Sequence, residues 1–283
     1  MYCNRSLLVL LATLPLASVG CRSSSGDEVV VYTALDEDFS KPIFADYEAE
    51  SGVTVVPKFD TEATKTVGLT EAILAERERP RCDVFWNNEI LNTLRLQRAD
   101  VLEAYHSPAA EPYPEWAKSA EGAWHGFAAR ARILIVNTQL VPEGERPKSI
   151  RDLAAEKWRG KAGIAKPLFG TTATHAACLF AALGEDEAAR LFRAMKANEV
   201  RIEAGNKQVA VSVAAGRLAF GLTDTDDALG QIAEGHSVAI VYPDQGDDEL
   251  GTLFIPNTLA IIKGAPNPEA ATVAQRRLDW TRW

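Results

Sequence analysis

The sequence predicts an α/β protein of two lobes, each a mixed sheet flanked by helices, with hinge strands joining them. Two observations predict this. Short β-branched or apolar runs of strand length alternate with segments of helical periodicity along most of the chain. The alternation also occurs twice, on either side of one long strand-like stretch over 124–138 that suits a crossover. A third observation bears on function: the first three strand-like runs each end in a polar cluster, at 36–38, 60–66 and 87–89. A parallel sheet would set such clusters along one edge, where open α/β sheets place their ligands.

Composition agrees with this. The chain has 283 residues, 47% of them hydrophobic and 24% charged, which is enough to bury a core in more than one lobe. Its formal charge of −9 and the lack of a basic patch argue against a nucleic-acid or acidic-membrane surface.

Residues 1–20 are expected to be an export signal. Arg5 precedes an apolar core over 7–17 that is too short to remain as a membrane-spanning helix. The ending Ser18-Val19-Gly20-Cys21 resembles a bacterial lipoprotein signal, with Cys21 as the lipidated first mature residue. Ser18 stands where such signals usually have Leu, so ordinary signal cleavage stays open. Residues 21–27, rich in serine, read as a tether. Of the four cysteines, Cys3 and Cys21 belong to this leader, and Cys82 and Cys178 are too few for a disulfide scaffold and lack zinc spacing.

Lobe 1 is expected over 28–130. Its strands are 28–33, 53–59 and 82–86, with helices following from Phe39, from Leu69 and from Ile90. After Leu102 the chain becomes loop-like through Pro108, Pro112 and Pro114, and then enters the long strand. Lobe 2 is expected over 131–240. It opens with a helix at 149–156, a strand at 161–165, a buried helix to Leu183 and another helix from 185 to about 197. Strand 200–203, helix 207–215 and strand 217–222 follow. Residues 241–283 are expected to return to lobe 1, led by strand-rich segments at 238–246 and 252–262, with one short helix after Pro268.

Several clusters carry chemistry. Thr223-Asp224-Thr225-Asp226-Asp227 places three carboxylates and two hydroxyls between a strand and a helix. It reads as a cleft wall for a cation or an amine, or as a helix cap made by Thr223 or Asp224. Gly170-Thr171-Thr172 and Thr64-Lys65-Thr66 each open a helix, where free N–H groups and hydroxyls stabilise an anion, although threonine there also serves as a plain cap. Arg130 and Arg132 share one face of the long strand, since strand period is two. One of them faces the cleft, or the arginines take part in a surface ion pair. Trp86 is a pocket wall or a core residue, and His175 is expected to be structural.

The order of Val29-Val30-Val31-Tyr32-Thr33, Asp83-Val84-Phe85-Trp86-Asn87-Asn88-Glu89, Gly126-Phe127-Ala128-Ala129-Arg130-Ala131-Arg132 and Ile255-Pro256-Asn257-Thr258 resembles the type II periplasmic solute-binding proteins of ABC importers, in the ferric-iron-binding branch. The resemblance covers nearly all of the mature chain. It implies the periplasmic binding protein type II fold: two α/β lobes that close around a solute and deliver it to a membrane permease with its ATPase. A monomer is implied, outside the cytoplasm and touching the membrane only through a lipid anchor. It also implies two or three further helices after 267–269, so a C-terminus cut short is expected.

Iron-binding relatives hold Fe(III) with a histidine, a glutamate and two adjacent tyrosines. By position those places fall here to Asp36, to Asn88 with Glu89 beside it, and to Thr225-Asp226, with Asp224 just before. No tyrosine remains, although carboxylates are still oxygen ligands for hard cations. The turn at Gly170-Thr171-Thr172 matches one that relatives use for phosphate or carbonate. The expected cargo is therefore Fe(III) with carbonate or phosphate. The alternative is a small organic anion or zwitterion such as a phosphonate, held by the helix starts and Arg130. An enzyme on the same two-lobe fold is a third class, for which no nucleophile elbow, metal-helix motif or Cys/His pair is present.

Overall fold

The computed structural model describes residues 28–35, 37–60 and 67–276. Expectations for the export signal, Cys21 and the tether lie outside the described residues, as do those for Asp36, Thr64, Lys65, Thr66 and the last seven residues. Along the chain come β1 (Glu28–Thr33), α1 (Glu37–Ser51), β2 (Thr54–Phe59), α2 (Val67–Ala75), β3 (Val84–Asn87), α3 (Ile90–Arg98) and the short β4 (Leu102–Glu103). The long β5 (His125–Asn137) is next, followed by β6 (Ala162–Ala165), α4 (Gly170–Leu183), α5 (Glu185–Ala197), β7 (Arg201–Glu203) and α6 (Asn206–Ala214). Last come β8 (Phe220–Asp224), α7 (Thr225–Ala233), β9 (Val238–Val241), β10 (Phe254–Ile262) and α8 (Pro268–Arg276).

The strands run in the order β2-β1-β3-β10-β5-β8-β6-β7, with β4 beside β10 and β9 beside β5. In lobe 1, β1 is parallel to β2 and β3, while β10 runs antiparallel to β3 and β5. In lobe 2, β6 is parallel to β7 and β8, and β5 runs antiparallel to β8 and β9. Strand β5 belongs to both sheets. Its residues up to Ala131 pair with β10, and those from Arg132 onward pair with β8. Close to this handover, Arg132 N–H donates to Leu253 O at 2.9 Å, so the returning segment crosses beside β5.

The apolar runs are continuous because both faces of each sheet are covered. Val31, Trp86 and Leu259 pack on one face of lobe 1, and their neighbours Tyr32, Phe85 and Ala260 on the other. In β5 the same alternation sends Leu134 and Val136 to one core of lobe 2, and Ile133 and Ile135 to the other. Pro57, which lacks an N–H, is tolerated because β2 is an edge strand. Trp86 settles as core: it is 1% exposed and packs edge-on against Phe44 and Phe127, with ring centroids 5.5 and 5.3 Å away.

The expected helix at 149–156 is instead two 3₁₀ turns, Ile150–Ala154 and Glu156–Trp158. Ser149 and Asp152 form a capping box, Asp244 accepts from Ile150 N–H at 3.2 Å, and Ala155 is extended, so contacts from outside the segment override its propensity. Strand β9 stops at Val241, and β8 begins at Phe220 and runs on through Thr223 and Asp224, which the sequence reading placed in the turn.

Candidate functional site

Register brings the site together. Arg132 and Asp224 are direct cross-strand partners on β5 and β8, and both are buried, at 0% and 1% exposure. Asp224 Oδ1 accepts from Arg132 Nη1 at 2.7 Å, while Oδ2 accepts from the Thr171 hydroxyl at 2.6 Å and Asn206 Nδ2 at 3.0 Å. Arg132 also donates to Asn206 Oδ1 at 3.1 Å, to the hydroxyls of Thr171 and Thr172 at 3.2 Å each, and over 3.5 Å to His175 Nδ1. A planar guanidinium with five donors suits this multi-partner role in a way that lysine does not.

Electrostatics follow from these contacts. Burial alone would raise the Asp224 pKa, but the guanidiniums of Arg132 and Arg130 and the Thr171 hydroxyl hold it below the usual carboxylate range. Burial, then the charge of Arg132, pushes His175 down to about 3, so the ring is neutral at physiological pH. His175 is structural, as expected. Arg130 is 8% exposed and pairs with Asp226 at 3.1 Å and with Asp224 at 3.7 Å, which replaces the surface ion-pair reading.

Close packing fixes the parts around this core. A Cβ at Gly221 would lie 2.4 Å from Val209 Cγ1 and 2.9 Å from Gly163 O, so only glycine lets β8 meet both β6 and α6. That approach sets the start of α6, where Asn206 stands. Gly170 opens α4 at φ 55°, a left-handed value that disfavours other residues.

The cavity between the lobes is lined from lobe 2 by the starts of α4, α6 and α7 and by Lys166, from lobe 1 by Leu35 and Asn88, and by Arg130 on the part of β5 that still pairs with β10. None of the three helix starts carries a side-chain cap; their N-cap residues are Phe169, Gly205 and Asp224. The reading of Asp224 as a helix-capping side chain therefore gives way to its role as partner of the arginines. Uncapped helix starts present free N–H groups and a positive dipole end to an anion. Asp224, Asp226 and Asp227 each place a carboxylate oxygen within 4.8 Å of the others, a spacing fit for a hard cation. The Arg132–Asp224 pair cancels internally. Beside that pair the cavity is faced by Arg130, Lys166 and Lys207 and by Asp226 and Asp227, so the lining holds both signs.

Other expected ligand residues have internal partners. Glu89 is 1% exposed and caps α3, with Oε1 accepting from Asn92 N–H at 3.0 Å and Asn87 Nδ2 at 3.2 Å. Its Oε2 accepts from Leu91 N–H at 2.7 Å and the Thr174 hydroxyl at 2.9 Å. Four donors fill the acceptor capacity of one carboxylate. The Thr225 hydroxyl accepts from Ala131 N–H at 3.2 Å, tying α7 to β5. Asn88 does face the cavity: its Nδ2 donates to Ala34 O at 3.0 Å, and its buried Oδ1 has no hydrogen-bond partner among the described residues. Thr171, Thr172 and Gly170 line the cavity as expected, and so do Asp226 and Arg130. Sequence reasoning gave no role to Asn206, Lys207 or Lys166. The only signal was a Gly-Asn turn opening a helix, the same pattern as at 170.

The family described as bacterial extracellular solute-binding protein matches residues 43–274. Iron uptake protein A1 of Synechocystis is 25% identical over 269 residues, covering 91% of this chain and 72% of that protein. The iron-bound HitA structure from Pseudomonas aeruginosa superposes with a TM-score of 0.77 at 22% identity, covering 87% of this chain and 78% of that one. AfuA of Actinobacillus pleuropneumoniae, solved with fructose-6-phosphate bound, gives 0.76 at 22% identity, covering 89% and 78%. The chain thus spans about three quarters of the length of each.

Proposed function

The chain belongs to the bacterial extracellular solute-binding protein family, binding proteins and not enzymes, and from that premise we propose that it captures ferric iron together with an oxyanion for an ATP-driven importer. The observation that carries this reading is the mixed lining of one interlobe cavity: two carboxylates, Asp226 and Asp227, beside three uncapped helix starts and three cations. Hard oxygen donors suit Fe(III), and the helix starts suit carbonate or phosphate bound beside it. In this reading Arg130 leaves Asp226 for the anion as the metal arrives, while Asn88 Oδ1 supplies an oxygen from lobe 1. Iron uptake protein A1 and iron-bound HitA support the cargo by their names.

The site residues in this proposal are Asp226, Asp227 and Asn88 for the cation, and Arg130, Gly170, Thr171, Thr172 and Lys207 for the anion. Delivery to a membrane permease with its ATPase, an export signal ending at Gly20, a lipid anchor on Cys21 and a monomeric state belong to the same proposal. Lobe limits near 130 and 240 are also part of it.

A second reading has its own support. Among the described residues no tyrosine lines the cavity, and three cations line it beside three uncapped helix starts, which favours a small organic anion; AfuA was solved with a sugar phosphate. Thermal melts with ferric nitrilotriacetate plus bicarbonate, against a panel of phosphonates and sugar phosphates, separate the two. A rise in melting temperature with iron alone supports the proposal. A rise with an organic anion and none with iron overturns it.

A further inference from the structure

Thr174, in the second turn of α4, reaches across the cleft and donates to Glu89 Oε2 at 2.9 Å, and both residues are 1% exposed. We infer that Thr174 and Glu89 form an interlobe latch that holds the cleft shut without solute, and that Glu89 serves as this acceptor and not as a solute ligand. The inference is independent of which solute the cavity takes.

Each half of the latch is fixed within its own lobe. Glu89 is gripped by the backbone N–H groups of Leu91 and Asn92. Asn87 Nδ2 lies against Glu89 Oε1 and also donates to Thr93 Oγ1 at 2.9 Å, and the Thr93 hydroxyl meets that of Thr258 at 2.8 Å. Thr258 sits on β10 where its pairing with β5 shifts register, so the acceptor is braced against the strand that joins the hinge. On the other side, Thr174 lies three residues after Thr171, which bonds Asp224. One rigid helix therefore carries both the cavity contact and the latch.

The bond is also built to break without leaving an orphan. Gly170 O lies 3.4 Å from the Thr174 hydroxyl, one turn back on its own helix, and offers a fallback acceptor when the lobes part. Glu89 keeps its three partners within lobe 1. Closing exchanges a long, neutral hydrogen bond for a shorter one to a carboxylate, which is the stronger kind. The rim pair Lys207–Asp38 also crosses the cleft, at 3.4 Å, but both side chains are more than half exposed and such pairs contribute little.

Thr174→Val exchanges the hydroxyl for a methyl group and leaves the cap of α3 in place, whereas Thr174→Ser keeps the donor. Small-angle X-ray scattering on the solute-free full chain reads the opening. Losing a bond to a charged group should lower the closed-to-open ratio about tenfold or more. The expected result is a larger radius of gyration for Thr174→Val, a wild-type value for Thr174→Ser, and unchanged hydrogen exchange at the Leu91 and Asn92 amides. Equal radii for Thr174→Val and wild type overturn the inference, and so does a Thr174→Ser protein as open as Thr174→Val. Should Thr174→Val fail to fold, Thr174→Ala is read by the same criteria.

Discussion

The two walls of the cleft are built differently. On the lobe 2 side, Arg132, Asp224, Thr171 and Asn206 lock the middle of β5, the end of β8 and the starts of two helices into one buried hydrogen-bonded unit. On the lobe 1 side, the described residues give the cavity Leu35, Asn88 and, from the lobe 1 part of β5, Arg130; of the carboxylates nearby, Glu89 is occupied by its own helix and by Thr174, and Asp38 pairs with Lys207 at the rim. Lobe 2 thus holds its polar groups in place before solute arrives, while lobe 1 acts as a cover. Preorganised groups bind without a further ordering cost, so affinity should depend more on lobe 2.

The largest break in this asymmetry should come from Arg132→Met. It takes the 2.7 Å partner from the buried Asp224 carboxylate and leaves it only Arg130 at 3.7 Å, which costs up to about 3–5 kcal/mol. Adding Asp224→Asn should recover part of that loss, because the buried charge that lost its nearest partner is gone. Urea unfolding of both proteins measures it, and equal stabilities would contradict the assignment of Arg132 and Asp224 as a coupled pair.

Acid should reveal the same wall. The His175 pKa falls from 6.5 unfolded to about 3 folded, so the unfolded chain binds an extra proton between those values. Stability from this group is complete above pH 6.5 and is lost as pH falls toward 3, with a slope of up to about 1.4 kcal/mol per pH unit. His125, lowered to about 4 by burial, then by His106 and Lys118, adds loss of the same sign down to pH 4. Asp224, depressed when folded, contributes stability above its unfolded pKa that is lost at still lower pH. Urea melts at pH 5 and pH 7 should show a shallower loss for His175→Gln than for wild type; parallel losses would refute the account.

A smaller effect, about 1–3 kcal/mol, is expected for Gly221→Val, whose side chain must displace Val209 or separate β8 from β6. Calorimetry would show it as a lowered melting temperature. The smallest effect on stability should be that of Asn88→Ala on the lobe 1 wall, about 1 kcal/mol for one lost hydrogen bond. Its consequence should appear instead as weaker solute binding by titration calorimetry. A large stability loss with unaltered binding would reverse the contrast between the walls.

How much of this could be read from sequence follows the same division. The strands were legible because both faces of each sheet are covered, so Val31 and Tyr32, or Ile133 and Leu134, are apolar in succession. The shared face of Arg130 and Arg132 followed from strand period alone. Their burial did not, since it depends on Asp224 lying opposite Arg132 in another strand. The 3₁₀ turns near 150 were hidden for the same reason: Asp244, far along the chain, holds Ile150 N–H. Asn206 resembled an ordinary helix opening, and the part played by Glu89 required knowing where the second turn of α4 comes to rest.

Strand β5, thirteen residues shared by two sheets, has a consequence for how this chain can change over time. Beyond the register shift opposite Asn257 and Thr258, side chains alternate with a period of two, so inserting or deleting one residue there would turn Arg130 and Arg132, or the apolar rows beyond them, to the wrong side. The strand itself is a reading frame that both lobes must keep, and its length is the dimension of the molecule least open to revision by insertion or loss.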